Sequence, residues 1–368
     1  MKWSFPIARV LGIELRVHVT FFLLIVFYGW LSYSQGGMQE ALLAVAFILL
    51  LFLCVVLHEF GHALAARMYG IHTPDITLLP IGGLARLERM PRNPVQELVI
   101  AVAGPAVNVV IACILGAFLI GKLSLSAGME ELARPSSDLM MQVLVANVIL
   151  VLFNLIPAFP MDGGRVLRAL LAMTMPHSRA TIFAARTGQV IAVLFAVLGI
   201  VGFVANPFLL LIAVFIFFAA QQESRLAMLH GAAEGRRVVD NMLTHFESLP
   251  AGLPIADAAQ RILQTHQPVF PVVEHGLVPV GIVPRAQVLK AADEGKGASA
   301  VRDLSSRGGR NVNATDTLED ALRAMEETGL PVLPVVNPSG QLVGLVSVQQ
   351  LSELASMRPM PTNGSPVR

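Results

Sequence analysis

The chemistry this sequence can offer is concentrated in one stretch, Leu57-His58-Glu59-Phe60-Gly61-His62. On a helix, positions four apart share a face, so His58 and His62 can aim imidazole nitrogens at one metal ion. Glu59 lies beside them, placed to take a proton from a water molecule. Metal-assisted hydrolysis is the chemistry such a trio supports. The motif closes a long apolar run, and an acid at bilayer depth costs about 2.5–3.5 kcal/mol. Residues held there at that cost are there for function. The plainer alternative is a helix end at the water interface, with Glu59 solvated.

A hydrolytic zinc site ordinarily takes three protein ligands and keeps one position open. Asp75, Glu88 and Asp162 are the acidic candidates for the third, all near the same membrane face. Asp162 stands out through its setting, Asn154-Leu155-Ile156-Pro157-Ala158-Phe159-Pro160-Met161-Asp162-Gly163-Gly164-Arg165. Two prolines break a helix there, and two glycines are expected to relax the backbone after the acid. Irregular backbone at that depth is tolerated only when buried in protein or lining a wet cavity. Capping a helix that begins near Arg165 is an equally natural role for Asp162, and both roles can hold together.

The elements that must position these residues are membrane helices. Hydrophobic residues make up 55% and charged ones 14%, against roughly 45–50% and 25% in globular domains. Those values exclude a disordered chain, a disulfide-stapled secreted module and an ordinary soluble enzyme. Lys+Arg at 26 against Asp+Glu at 25 excludes a broadly basic nucleic-acid binder. Cys54 and Cys113 sit in apolar runs and imply no disulfide framework. Apolar stretches near 17–33, 41–66, 98–121, 139–158, 182–205 and 207–222 predict a multi-pass α-helical membrane protein of about six transmembrane helices. Lys2, Arg9 and Arg16 precede the first; Arg67, Arg86, Arg89 and Arg92 follow the second; Arg165, Arg168 and Arg179 follow the fourth; Arg225, Arg236 and Arg237 follow the sixth. Positive-inside then places both termini in the cytoplasm.

After residue 222 the character changes to soluble α/β. Pro268-Val269-Phe270-Pro271-Val272-Val273 matches Pro331-Val332-Leu333-Pro334-Val335-Val336, and Gly281-Ile282-Val283 matches Gly344-Leu345-Val346 at the same offset. Each copy reads helix, buried strand, Gly-bearing turn, strand, helix, and two copies at fixed register bury their faces together. The division expected is a membrane domain over 1–222, a linker over 223–236, repeats over 237–296 and 297–356, and a disordered tail over 357–368.

The paired motifs resemble the site-2 protease family of intramembrane zinc metalloproteases. Gly104-Pro105-Ala106-Val107-Asn108 is similar to a further element of that family, and Gly61 and Gly82-Gly83 also fit. The resemblance implies that His58, His62 and Asp162 bind one Zn2+ and that Glu59 is the general base. It implies a substrate-holding or carbonyl-polarising role for Asn154 and, among alternatives, for Asn108; a buried amide bonding across helices accounts for Asn108 equally well. The segment from Thr77 to Leu87 reads as two short strands around a Gly82-Gly83 turn, whose edge could hold an unwound substrate; a plain membrane-associated hairpin accounts for it as well. The implied substrate is a membrane-spanning or membrane-associated regulatory protein, such as an anti-sigma factor or a membrane-tethered transcription factor; no nucleic-acid partner is expected.

The repeats resemble a tandem CBS pair, expected to regulate, to dimerise the chain or to bind a protein. Such pairs commonly hold adenine nucleotides. Here Pro284 and Gln287, and Ser347 and Gln350, stand where that pattern has a hydroxyl and an acid; an amide can still bond a hydroxyl but lacks the charge a ribose diol favours, which leaves nucleotide binding doubtful. A CBS-gated transporter is the competing class. It would spread polar residues along a path, whereas here they gather at one level. His18 is assigned to interface anchoring and His72 to a loop.

Overall fold

One glycine decides how the first apolar stretch is used. In this computed structural model, helix α1 (Val19–Met68) runs for 50 residues, about 75 Å if straight and far beyond the ~30 Å of bilayer hydrocarbon. Gly37 interrupts it with φ 77° and ψ −161°, a backbone state closed to residues with a Cβ. The two arms fold back on each other there. The Phe21 and Phe52 rings pack edge to face with centroids 4.5 Å apart, where a straight helix would separate them by about 46 Å. The first two expected spans are therefore the arms of one helical hairpin.

The structure describes residues 3–80, 82–86, 88, 91, 93–125, 139–201, 207–306 and 310–356. Arg89, Arg92 and the tail from Met357 lie outside them, so the expectation of a disordered tail does too.

Ahead of α1 stands a hairpin that hydropathy alone does not announce. Strands β1 (Ser4–Val10) and β2 (Ile13–His18) pair antiparallel around Leu11 and Gly12, both at positive φ, as two-residue hairpin turns require. After α1 come β3 (Asp75–Leu79) and β4 (Gly82–Arg86), giving one sheet in the order β1-β2-β3-β4. β2 and β3 run parallel, which the long α1 crossover permits. Ile13 and Ile76 of this sheet pack on Phe60 and Ala63 of α1, seating the strands beside the His-Glu turn. His18 is the N-cap of α1, its ring accepting from the Thr20 N–H at 3.4 Å. His72 is an exposed loop residue.

Four more helices complete the first unit before the last long one leaves it: α2 (Pro94–Leu125), α3 (Leu139–Asn154), α4 (Asp162–Ala172), α5 (His177–Val201) and then α6 (Pro207–Ala233). Among the described residues, four helices, α1, α2, α5 and α6, are long and apolar enough to cross a membrane. The 16 residues of α3 reach about 24 Å. The outer faces keep Ile114, Phe118, Val190, Ile200, Phe208 and Phe218 exposed, a surface suited to lipid and not to water.

The chain divides into Met1–Ser224 and Arg225–Arg368. α6 continues through residues 223–233, expected as linker, because Leu229 and Ala233 enter the core of the second repeat. The second unit then runs β5 (Leu249–Pro250), α7 (Ile255–Ile262), β6 (Val269–Glu274), β7 (Val278–Pro284), α8 (Arg285–Asp293), β8 (Val312–Asn313), α9 (Leu318–Thr328), β9 (Val332–Val336), β10 (Leu342–Ser347) and α10 (Val348–Ser356). The expected helix–strand–strand–helix order appears in both copies. Each copy builds a three-stranded sheet, β5-β6-β7 and β10-β9-β8, over its own core around Phe270 and Leu333 respectively.

Candidate metal centre

His58 and His62 lie one turn apart on the second arm of α1, both buried. Asp162 comes from the far side of the unit, as the first residue of α4. Its Oδ2 lies 3.1 Å from His58 Nε2 and 3.2 Å from His62 Nε2, and the two nitrogens are 3.1 Å apart. Of the three acids considered, only Asp162 joins the histidines. Asp75 faces Arg86 at 3.6 Å across the β3–β4 pair, and Glu88 is exposed.

The protons of the two rings are fixed from behind. His62 Nδ1 lies 2.7 Å from the Ile100 carbonyl, which can only accept, so Nδ1 carries a proton and the neutral ring keeps its lone pair on Nε2. His58 Nδ1 lies 2.7 Å from Asn108 Oδ1. Three donor atoms thus converge within 3.2 Å, close enough to share a proton between imidazole and carboxylate or to ligate one cation. Two imidazole nitrogens and a carboxylate oxygen form a common zinc donor set. Tetrahedral bonds of about 2.0–2.1 Å would set neighbouring ligands about 3.3 Å apart, close to the edges observed. The residues fit a metal ion.

The path from α3 to α4 explains how Asp162 arrives. α3 ends at Asn154, and the chain through Pro157 and Pro160 packs Ala158 and Met161 against Ala192 and Ile216, and Phe159 against Ala184, Ala185 and Ala220. Irregular backbone here is buried in protein, as membrane depth demands. The glycines after the acid are helical, contrary to the relaxed backbone expected of them. Their role is steric, since a Cβ at Gly164 would fall 2.7 Å from the Ala158 carbonyl carbon and Phe159 nitrogen. The N-cap of α4 is Met161, and no side chain caps that end; Asp162 therefore leaves the capping role and turns to the histidines. Its charge still favours the helix N-terminus.

Glu59 is half-buried next to His58, and β4 runs against it. A Cβ at Gly83 would stand 2.6 Å from Glu59 Cγ and 2.9 Å from Oε1. Gly82 opens the same strand opposite Leu79, so the Gly-Gly pair forms strand and not turn. Gly104 on α2 serves close approach too: a Cβ there would overlap the His62 ring. Asn154 is half-buried at the end of α3. Asn108 is fully buried and bonds across helices to Asn147 on α3 at 2.9 Å.

Two features have no motif in the sequence. Asn147 is a lone amide in an apolar run. Arg168, counted among the loop cations, is buried; its Nε and Nη1 donate to Glu97 and Glu223 at 2.6 Å each, and its guanidinium lies 5.0 Å from the Phe159 ring centroid. It ties α2, α4 and α6 to the segment that carries Asp162.

Comparison with known proteins gives the family of the chain. The model of peptidase family M50 matches residues 46–133 and 121–198, and the CBS domain model matches 236–294 and 301–356. The zinc metalloprotease MJ0392 of Methanocaldococcus jannaschii is 31% identical over 94% of this chain and 94% of its own. Rip3 of Mycobacterium tuberculosis is 28% identical over 98% of this chain and 96% of its own. The solved site-2 protease from Methanocaldococcus jannaschii is 36% identical, covering 60% of this chain and 95% of that one, with a TM-score of 0.45. A membrane-embedded metalloprotease is the class defined here. The chain belongs to peptidase family M50, the site-2 protease family, and carries a pair of CBS domains.

Proposed function

We propose that this chain hydrolyses a peptide bond in or near a transmembrane segment of a regulatory membrane protein, using one Zn2+ held by His58, His62 and Asp162. The convergence of two imidazole nitrogens and one carboxylate oxygen in a buried site is the observation that carries this reading. Bound zinc supplies Lewis acidity, polarising the scissile carbonyl and making water a nucleophile near neutral pH. Glu59 takes the proton of the attacking water and returns it to the leaving amine. Asn154, at the broken end of α3, is assigned to the substrate backbone.

A helical substrate hides its amides and must unwind. β4 ends the sheet order and lies against Glu59, so its free edge can pair with an extended substrate strand beside the base. Gly83 keeps that edge without a side chain on the side of the carboxylate. The two arms of α1 with α2, α3, α5 and α6 give six crossings, both termini in the cytoplasm of a bacterial inner membrane, and a CBS pair that regulates or dimerises the enzyme. Anti-sigma factors and membrane-tethered transcription factors have the required substrate architecture.

The test compares membrane proteomes of cells carrying the wild-type chain or Glu59→Gln. Glu59→Gln is expected to lower cleavage about 10²–10⁴-fold and to accumulate the intact substrate. Unchanged membrane proteins and unchanged cleavage would remove the assignment.

A further inference from the structure

The metal-facing lone pair of His58 depends on a residue that touches neither metal nor substrate. Asn147 Nδ2 lies 2.8 Å from the Val143 carbonyl, one turn back on α3, and 3.3 Å from Cys54 Sγ. A carbonyl only accepts, so the amide nitrogen of Asn147 must face it and its Oδ1 must face away. That oxygen accepts from Asn108 Nδ2 at 2.9 Å, which turns Asn108 Oδ1 towards His58 Nδ1 at 2.7 Å. Each step allows one orientation. The ring nitrogen facing Asn108 therefore carries a proton, and the neutral ring keeps its lone pair on Nε2.

We infer that Asn147 and Asn108 are positioning residues that fix the His58 tautomer, with the Val143 carbonyl setting the direction of the chain of hydrogen bonds. The inference rests on the proposed metal site, since a bare Nε2 matters only if it binds a cation. Both amides are wholly buried, so no water can substitute for a missing partner. His62 reaches the same state through a single backbone carbonyl, that of Ile100. His58 has no such carbonyl on its Nδ1 and uses two side chains across α2 and α3. Without Asn147, Asn108 is free to turn its NH2 towards His58. That would draw the proton to Nε2, where it competes with the metal.

Asn147→Leu is expected to weaken zinc binding about 10–100-fold, the range for lost outer partners of a metal-binding histidine, measured by chelator competition. In metal-free protein labelled with 15N-histidine, the His58 signals, assigned by their loss in His58→Ala, should move from the Nδ1–H towards the Nε2–H pattern. The signals of His62 should stay in place. Asn108→Asp supplies the separating control. A carboxylate accepts through either oxygen and holds the Nδ1 proton unaided, so adding Asn147→Leu to Asn108→Asp should cost no further zinc affinity. If Asn147→Leu does not fold, Asn147→Ala takes its place in both backgrounds.

Equal loss in both backgrounds would mean Asn147 acts through packing alone and would overturn the inference. So would an unchanged His58 tautomer in Asn147→Leu. If the wild-type chain binds no zinc, the proposed function fails, while the tautomer measurement still judges the relay.

Discussion

Each of the four residues at the centre makes a different demand on its neighbours, and the demands separate experimentally. His58, His62 and Asp162 hold charge and lone pairs at one point; Glu59 stands beside that point. Asp162→Asn keeps the volume but removes the charge and turns an acceptor into a donor. It should weaken zinc binding by more than the about 10–100-fold that an outer partner costs, read by metal analysis of the purified protein. Glu59→Gln should keep zinc in full and lose turnover, so the pair divides binding from chemistry. His58, Glu59 and His62 are legible because helical spacing alone makes them neighbours. Asp162 is legible because two prolines and two glycines mark a break at the right depth. Asn147 is not legible: its meaning lies in a partner on another helix, and no spacing along the chain encodes that.

Close approach of elements, more than any single bond, puts the site together. β4 lies so near α1 that residue 83 has no room for a methyl group. Gly83→Ala should push Glu59 from its place and lower cleavage roughly 100-fold, the scale of a 1 Å misplacement, with zinc content unchanged. A fall in zinc instead would show that β4 supports the ligands and not the base. Arg168 works at the same scale, since it joins α2, α4 and α6 while stacking on Phe159. Arg168→Ala leaves Glu97 buried with one carboxylate oxygen already lacking a hydrogen bond. The expected loss is about 3–5 kcal/mol, seen as a lower unfolding midpoint in detergent. Arg168 is read from sequence as a loop cation because orientation rules count charges without regard to burial. The β1–β2 hairpin escapes for a related reason: its apolar residues merge with the first apolar stretch, and only the Leu11-Gly12 turn marks it off.

The whole chain joins a membrane unit to a soluble one, and that division is plain from composition, since the apolar excess stops where the repeat begins. Less plain is that α6 carries on past the boundary, because its last turns bury Leu229 and Ala233 in the second repeat. The repeat also decides what the soluble unit can bind. A nucleotide ribose wants a free acceptor next to a hydroxyl. Here the hydroxyl of Ser347 already accepts from the Gln350 N–H at 3.1 Å, and the Gln350 amide donates to the Asn241 carbonyl. In the first copy Pro284 has no hydroxyl at all, and Gln287 donates to the Leu304 carbonyl at 3.1 Å. In both places the amide nitrogen donates to a backbone carbonyl, although Gln350 Oε1 is buried with no hydrogen-bond partner. Calorimetric titration of the full chain with ATP, ADP and AMP should therefore show no micromolar binding. Replacing Gln350 by Asp should not create it, because the Asn241 carbonyl would then face a carboxylate and repel it. Micromolar binding of any of the three by the unmodified chain would mean that these side chains leave their partners for the ligand. Regulation through the pair would then run through nucleotide supply and not through protein contacts.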